Sequence, residues 1–310
     1  MTRTAVLLMA YGSPRTEEEV EPYFTDIRGG RPPSSEALRE LVARYERIGW
    51  SPLNEITSSQ AKMVAELLDA KAPGRFKVFT GMKHWHPFIA ESVREIANQG
   101  IREVIGLVLA PHYSQKSVGE YKERIQKAAR ELNRRLDLRM VQSWYDDPYF
   151  VRLVAENLKS TLGDWNPNDA WTRVFFTAHS IPARVVAAGD PYADQLSDSA
   201  RLYARAAGLS RYETAWQSAS HTGEPWLGPD ILEALATFHS SGGTRAVVAP
   251  VGFVCDHLEV LFDVDVECRE LAEELGLELR RIPSPNDDPR FIQALAEIAM
   301  SYAEANDRSA

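Results

Sequence analysis

The sequence predicts an α/β protein built as two similar domains, each a parallel sheet flanked by helices. Three observations lead there. Short apolar runs alternate with longer stretches of helical period. Strand-end patterns recur in the same order in the two halves. The length of 310 residues suits one large or two ordinary domains.

Taken in order, TAVLLMA (4–10), FKVFTGM (76–82), EVIGLVLAP (103–111) and LRMVQSW (138–144) read as buried strands. RVFFTAH (173–179), YETAWQS (212–218), RAVVAPVGF (245–253) and LELRRIP (277–283) read the same way. Between them lie amphipathic segments such as SSQAKMVAELLDAK (58–71), SVGEYKERIQKAARELNRRL (117–136) and DILEALATFHSSGG (230–243). Eight such strands could close into one barrel, but an internal repeat favours two sheets. LLMAYGSP (7–14) matches FFTAHSIP (175–182): an apolar run, alanine, a ring residue, a small residue, one more, proline. LVLAPHYS (107–114) matches VVAPVGFV (247–254) around an Ala-Pro pair. The expected boundary falls near WYDDPYF (144–150), giving domains 1–147 and 148–310, with a last helix at about 289–305 free to pack back on the first domain.

Composition narrows the function classes. A hydrophobic share of 44% and a charged share of 25% are ordinary for a globular protein with a real core. A net charge of -9 argues against a general nucleic-acid binder, which needs a basic face, but leaves room for a local basic pocket. Cys255 and Cys268 offer neither a disulfide framework nor a four-cysteine metal centre. They read as buried thiols in a reducing compartment. The apolar run near the N-terminus is too short for a membrane span and lacks a small-residue cleavage site, and no other stretch approaches the needed length. The expectation is a cytoplasmic protein with no stable membrane insertion.

In open parallel sheets, ligands collect beyond the carboxyl ends of the strands. Tyr11 and His179 stand there at matching positions of the two halves. If the halves face each other, the two side chains approach a ligand from opposite sides; the plainer reading of His179 is a strand cap. A second candidate follows the seventh strand. With a helix beginning after Phe253, Glu259, Asp263 and Glu267 are four apart on one face, and Asp256 extends the stripe. Like charges at that spacing cost roughly 0.2–0.5 kcal/mol per pair in an isolated helix. The stripe is either a solvated acidic face or a track for a hard divalent cation. A histidine with a carboxylate makes a transient ferrous site, because two protein ligands leave positions open for transfer.

Together the motifs MAYGSP, RYERIGWSPL, GMKHWHPFI, LAPHYSQKSVGEY, AHSIP, WQSASHTGEPWLGPD and PVGFVCDHLEVLFDVDVEC resemble those of ferrochelatases over essentially the whole chain, and most closely the Gram-positive type similar to coproporphyrin ferrochelatase. The resemblance implies a chelatase-like fold of two Rossmann-like domains with a porphyrin cleft between them. It implies insertion of ferrous iron, a substrate, into coproporphyrin III. No cofactor is required, since no redox step occurs. It places the metal-site histidine on His179 and its carboxylate partner on Glu259. Tyr11 falls where the family's axial contact to the porphyrin iron lies. Porphyrin contacts fall on Arg28, Arg44, Tyr45, Ser51 and Tyr121, and further cleft positions on Lys83, His84 and Trp226. Asp263 and Glu267 become a cation feeder or an outer site for a divalent ion such as Mg2+. A monomer with transient contacts to neighbouring haem-pathway enzymes is the implied state.

One departure stands out: relatives often carry Ile-Arg-Arg-Gly-Arg where this chain has IRGGR (27–31), so Gly29 removes a cation that Arg31 can replace. The rest of the chemistry is consistent. The propionates of coproporphyrin call for arginines such as Arg28, Arg31, Arg44 and Arg47, and Tyr11, Tyr45, Tyr121 and Trp226 suit a flat macrocycle. Protoporphyrin-using relatives carry a methionine-glycine-glycine type of sequence in place of MAYGSP, which favours coproporphyrin III over protoporphyrin IX. A cobalt or nickel chelatase and a non-catalytic haem carrier are the other readings; the carrier has no need of Glu259.

Overall fold

A computed structural model describes residues 3–220 and 223–307. The strand β1 (Thr4–Ala10) is buried along its whole length. It lies between β2 (Phe76–Met82) and β3 (Glu103–Val108), with β4 (Asp137–Met140) beyond β3, all parallel. A central parallel strand has both faces covered, which is why TAVLLMA is a continuous apolar run without alternation. Burial of Leu7, Leu8 and Met9, none of them exposed, contributes roughly 1.5–3 kcal/mol per side chain.

The second sheet repeats this plan. There β5 (Thr172–His179) lies between β6 (Tyr212–Gln217) and β7 (Arg245–Ala249), with β8 (Glu278–Arg281) outermost. The strand orders β2-β1-β3-β4 and β6-β5-β7-β8 are one topology used twice. The repeat read from LLMAYGSP and FFTAHSIP is therefore a pair of equivalent central strands. Helices make the crossovers, and their starts follow local chemistry. Asp147 accepts from the amides of Tyr149 and Phe150 to open Pro148–Leu162, and Asp230 accepts from Leu232 to open Ile231–Ser240.

The chain divides into two compact units. The first holds the described residues up to Ala110, then Gln115–Trp144, and everything from Asn286 onward; the second holds Pro111–Ser114 and Tyr145–Pro285. The changeover at Trp144 falls inside the WYDDPYF segment. The C-terminal helix Pro289–Asp307 lies with the first unit, where Phe291 meets Trp144 and Lys71 pairs with Glu297 at 2.8 Å.

Several elements are shorter than the sequence pattern suggests, β8 among them. The third and seventh strands stop at Val108 and Ala249, ahead of Pro111 and Pro250, which have no N–H for a ladder. The fourth covers only Asp137–Met140. The helix expected at 117–136 begins as a π-turn, Gln115–Gly119, and its α-helical part is Glu120–Glu131.

Gly252 fixes where the chain goes after β7. A Cβ there would meet Ala178 Cβ at 2.5 Å and Ala178 Cα at 2.7 Å, and its amide donates to Thr177 O at 3.0 Å. Only glycine lets the loop press this closely on the end of β5. Gly252→Ala is expected to lower stability by about 1–3 kcal/mol, read from the urea midpoint at unchanged m-value. A midpoint equal to that of the wild type would show that the loop has room to give.

Candidate active site

His179 is the last residue of β5 and about a third exposed. Its Nδ1–H donates to the carbonyl of Ser180. That bond puts a proton on Nδ1 and leaves Nε2 as the ring nitrogen toward Glu259, the arrangement used by metal-binding imidazoles. Nε2 lies 3.6 Å from Glu259 Oε1. The other carboxylate oxygen, Oε2, lies 3.4 Å from Nε2 of His257. His257 in turn donates from Nδ1 to Cys255 O at 2.9 Å. Glu259 thus sits between two imidazole nitrogens of the same kind. Burial pushes its pKa up, but the charge of His179 and the hydrogen bond and charge of His257 outweigh this and bring it to about 2. Burial lowers the pKa of His257, but its hydrogen bond to Glu259, the charge of Glu259, the bond to Cys255 O and the charge of Asp263 together raise it above the ordinary value. The indole of Trp226 lies 6.3 Å from the His179 ring, on a segment that pairs with residues after β5 through Ala183 N to Pro225 O and Leu227 N to Ile181 O. Positions 221 and 222 of the WQSASHTGEPWLGPD motif lie outside the described residues.

The acidic stripe takes a different form from the one expected. The helix starts at Leu258, not after Phe253, and runs one turn to Leu261. A π-helical stretch, Asp263–Cys268, follows before regular helix resumes at Arg269. Asp256 therefore does not extend the stripe: it precedes the helix and is bound by Arg281 at 3.3 Å and by the Ser284 hydroxyl at 2.7 Å. Arg281 also grips Asp265 with two bonds of 2.8 Å. Asp263 is buried and accepts from the Ser218 hydroxyl. Burial is the main cause of its pKa rising to about 7, with the charges of Glu259 and Glu267 adding to it. Asp263 is thus a hydrogen-bonded carboxyl that changes charge near neutrality. Among the described residues no group of three His, Cys, Asp or Glu side chains is arranged to hold a metal ion.

In the first unit the residue after β1, Tyr11, is exposed and packs at 4.5 Å against the ring of His84. His84 donates from Nδ1 to Asp26 Oδ2 at 2.7 Å, and burial holds its pKa below the usual imidazole range. Lys83 is buried, pairs with Glu120 at 2.7 Å, and lies 5.6 and 5.5 Å from the ring centres of Tyr11 and Tyr121. Desolvation lowers its pKa. Arg28, Arg31, Arg44 and Arg47 are exposed. Of the predicted porphyrin contacts, Tyr45, Ser51 and Tyr121 are buried, as are the cleft residues Lys83 and His84. Tyr45 stacks on Trp50 at 5.8 Å with its hydroxyl 3.3 Å from Ser13 Oγ, and Ser51 Oγ accepts from Leu53 N at 3.4 Å.

The structure brings His179, Glu259 and Trp226 together in one unit and Tyr11, Lys83, His84 and Tyr121 in the other. It adds His257, Asp26 and Glu120, which the sequence reading passed over. His257 was accessible from spacing alone, two residues before Glu259; the other two come from helices distant in sequence.

Parallel sheets in this order, with a histidine and a carboxylate at the strand ends, define an α/β protein of chelatase type. A sirohydrochlorin chelatase from Bacillus subtilis subspecies spizizenii, solved with cobalt, superposes with a TM-score of 0.62 at 12% identity over 98% of this chain and 96% of its own. The terminal enzyme of siroheme biosynthesis in denitrifying bacteria gives 0.53 at 14% identity over 96% and 99%. The chain belongs to the ferrochelatase family, whose family model, "Ferrochelatase", matches residues 3–303. It is 44% identical to a ferrochelatase of Herpetosiphon aurantiacus (96% of this chain, 98% of that one). It is 42% identical to a coproporphyrin III ferrochelatase of Oceanobacillus iheyensis (99% of each).

Asp263 yields a pH test. Its carboxyl binds a proton more tightly folded, at about 7, than at its ordinary value of 3.8. Its contribution to stability is thus full below about pH 4 and declines as pH rises through about 7. Asp263→Asn can still accept from Ser218 and removes this decline. The melting temperature of the variant minus that of the wild type should grow between about pH 5 and about pH 8. A flat difference would refute the burial of a titrating carboxyl.

Proposed function

We propose that this chain inserts ferrous iron into coproporphyrin III, yielding the iron complex and releasing two protons. The reading is carried by the His179–Glu259 pair at 3.6 Å, with the His179 tautomer set by Ser180. Membership in the ferrochelatase family makes the chain an enzyme that inserts metal into a porphyrin. Relatives named coproporphyrin III ferrochelatase at 42% identity over nearly the whole chain support the choice of porphyrin.

The division of roles follows from the electrostatics. With a pKa of about 2, Glu259 is ionised at any physiological pH and is a good oxygen ligand but a weak base. On this reading Nε2 of His179, 3.6 Å from that carboxylate, takes the pyrrole proton. Two protein ligands hold Fe2+ while leaving positions open for the macrocycle nitrogens. The exposed arginines Arg28 and Arg44, with Arg31 and Arg47 beside them in sequence, supply charged donors for propionates; each well-made bond of this kind contributes roughly 1.5–3 kcal/mol. Tyr11, exposed just after β1, presents a phenol oxygen that can contact the inserted iron. Asp263 and Glu267 steer cations toward the pair or form an outer site for a divalent ion such as Mg2+. On this reading the chain works as a cytoplasmic monomer and hands its product to the next haem-pathway enzyme by transient contact. No helix among the described residues is long and apolar enough to cross a membrane.

Anaerobic insertion assays test this. His179→Ala is expected to lower kcat at least about a hundredfold while porphyrin binding, read by fluorescence quenching, is kept. Glu259→Gln should be close behind it and Asp263→Asn milder. Near-normal turnover of a folded His179→Ala would overturn the assignment.

Substrate choice is checked separately. Coproporphyrin III should show higher kcat/KM than protoporphyrin IX in matched detergent. Arg44→Ala should shrink that ratio more than it lowers kcat. An equal or inverted preference in the wild type refutes the substrate, and an unchanged ratio in Arg44→Ala removes its proposed cause.

A further inference from the structure

Gln217 ends β6 and is fully buried. In the parallel ladder its Cα partner is His179. Three of its polar groups are committed. Its main-chain oxygen accepts from Ser180 N at 2.7 Å, the residue whose carbonyl orients the His179 imidazole. Its side-chain Oε1 accepts from Thr177 Oγ1 at 2.5 Å. Its Nε2 donates to the main-chain oxygen of Glu259 at 2.9 Å. The amide orientation is forced, because a carbonyl can only accept; the NH2 must face Glu259 and the Thr177 hydroxyl must donate to Oε1.

Glu259 needs such a tether. It sits in a helix of four residues, Leu258–Leu261, that gives way to a π-helical stretch. One isolated turn has little intrinsic stability, because nucleation fixes several dihedrals for one hydrogen bond. Holding its carboxylate at a set distance from an imidazole on a different element takes a bond from the rigid sheet. Within the described residues, Gln217 makes that bond and also touches the segment that sets His179.

We infer that Gln217, braced by Thr177, is the positioning residue that sets the distance between His179 and Glu259 and so tunes iron capture, without touching substrate itself. The inference deepens the reading of the pair as the iron site and rests on it. Gln217→Met keeps the volume and removes both amide bonds. Thr177→Val keeps shape and removes only the brace, and Thr177→Ser restores the hydroxyl.

The test is steady-state insertion of Fe2+ into coproporphyrin III, with each substrate varied in turn, beside calorimetric titration of Zn2+ into porphyrin-free protein. Gln217→Met should lose about tenfold to a hundredfold in kcat and raise the KM for iron, with the KM for porphyrin within about twofold of wild type. Its Zn2+ affinity should fall about tenfold. Thr177→Val should move the same way by less, and Thr177→Ser should return close to wild type. The inference is overturned if Gln217→Met or Thr177→Val only melts at lower temperature, with kcat, iron KM and Zn2+ affinity unchanged. It is also overturned if Thr177→Ser falls as far as Thr177→Val. If Gln217→Met does not fold, the Thr177 pair decides. A wild-type chain that fails to insert iron defeats the functional reading instead, and the Zn2+ arm still reports whether Gln217 holds the pair.

Discussion

The register between β5 and β6 is the constraint from which the rest of the second unit follows. Val174, Phe175, Phe176 and Ala178 are all fully buried, so both faces of the strand are covered. The bonds of Thr177 Oγ1 to Gln217 Oε1 and of Ser180 N to Gln217 O hold the pairing in one register. With Val174 opposite Tyr212, His179 must stand opposite Gln217 at the end of the ladder. The histidine is thus placed by a core that has no chemistry of its own. The same strand then receives the loop after β7, because Gly252 has no side chain to hold it off Ala178. That approach delivers His257 and Glu259 to the end of the strand that carries His179.

Charge is then distributed by solvation and not by residue type. Glu259 and Asp263 are both carboxyls on one short segment, yet one is held at about 2 and the other at about 7. The difference is the partner. Glu259 faces two imidazole nitrogens, whereas Asp263 has a serine hydroxyl and two like-charged neighbours. Two carboxylates driven apart in this way take different tasks: a permanent anion to bind a cation, and a group that changes charge near neutrality. The π-helical stretch that begins at Asp263 also departs from the regular four-residue spacing, so the even stripe that a plain α-helix would give is not formed.

Much of this was legible in the sequence, and what was not has a physical reason. Continuous apolar runs specify parallel strands, and β1 and β2 have the bounds their patterns gave, Thr4–Ala10 and Phe76–Met82. The repeated strand-end pattern located Tyr11 and His179 at equivalent places in two sheets of one topology. Proline positions could have trimmed β3 and β7, since a missing N–H ends a ladder. The acidic segment was harder. Periodicity assumes one helical pitch, and nothing local announces a switch from one α-turn to a π-stretch. Asp256 was misplaced for the same reason, and its partner Arg281 lies 25 residues on, out of reach of any local pattern. Tyr45 stacks on Trp50 in the interior, a placement that its type and its neighbouring arginines do not announce.

An acidic chain serving a polyanionic substrate is a contradiction only if charge is averaged. With a net charge of -9, long-range attraction for a propionate-bearing ring is absent. Recognition must come from short-range, directional bonds, which arginine supplies in pairs. Arg28, Arg31, Arg44 and Arg47 lie within 20 residues of one another and are exposed in the first unit. The carboxylates that suit a cation, Glu259, Asp263 and Glu267, lie within nine residues of one another in the second. On the proposed reading each unit carries the charge complementary to one substrate, the first to an organic anion and the second to a metal cation. The overall negative balance then falls on the metal side, where an excess of carboxylates gathers a scarce divalent ion, and the cations need only be as numerous as the groups they grip.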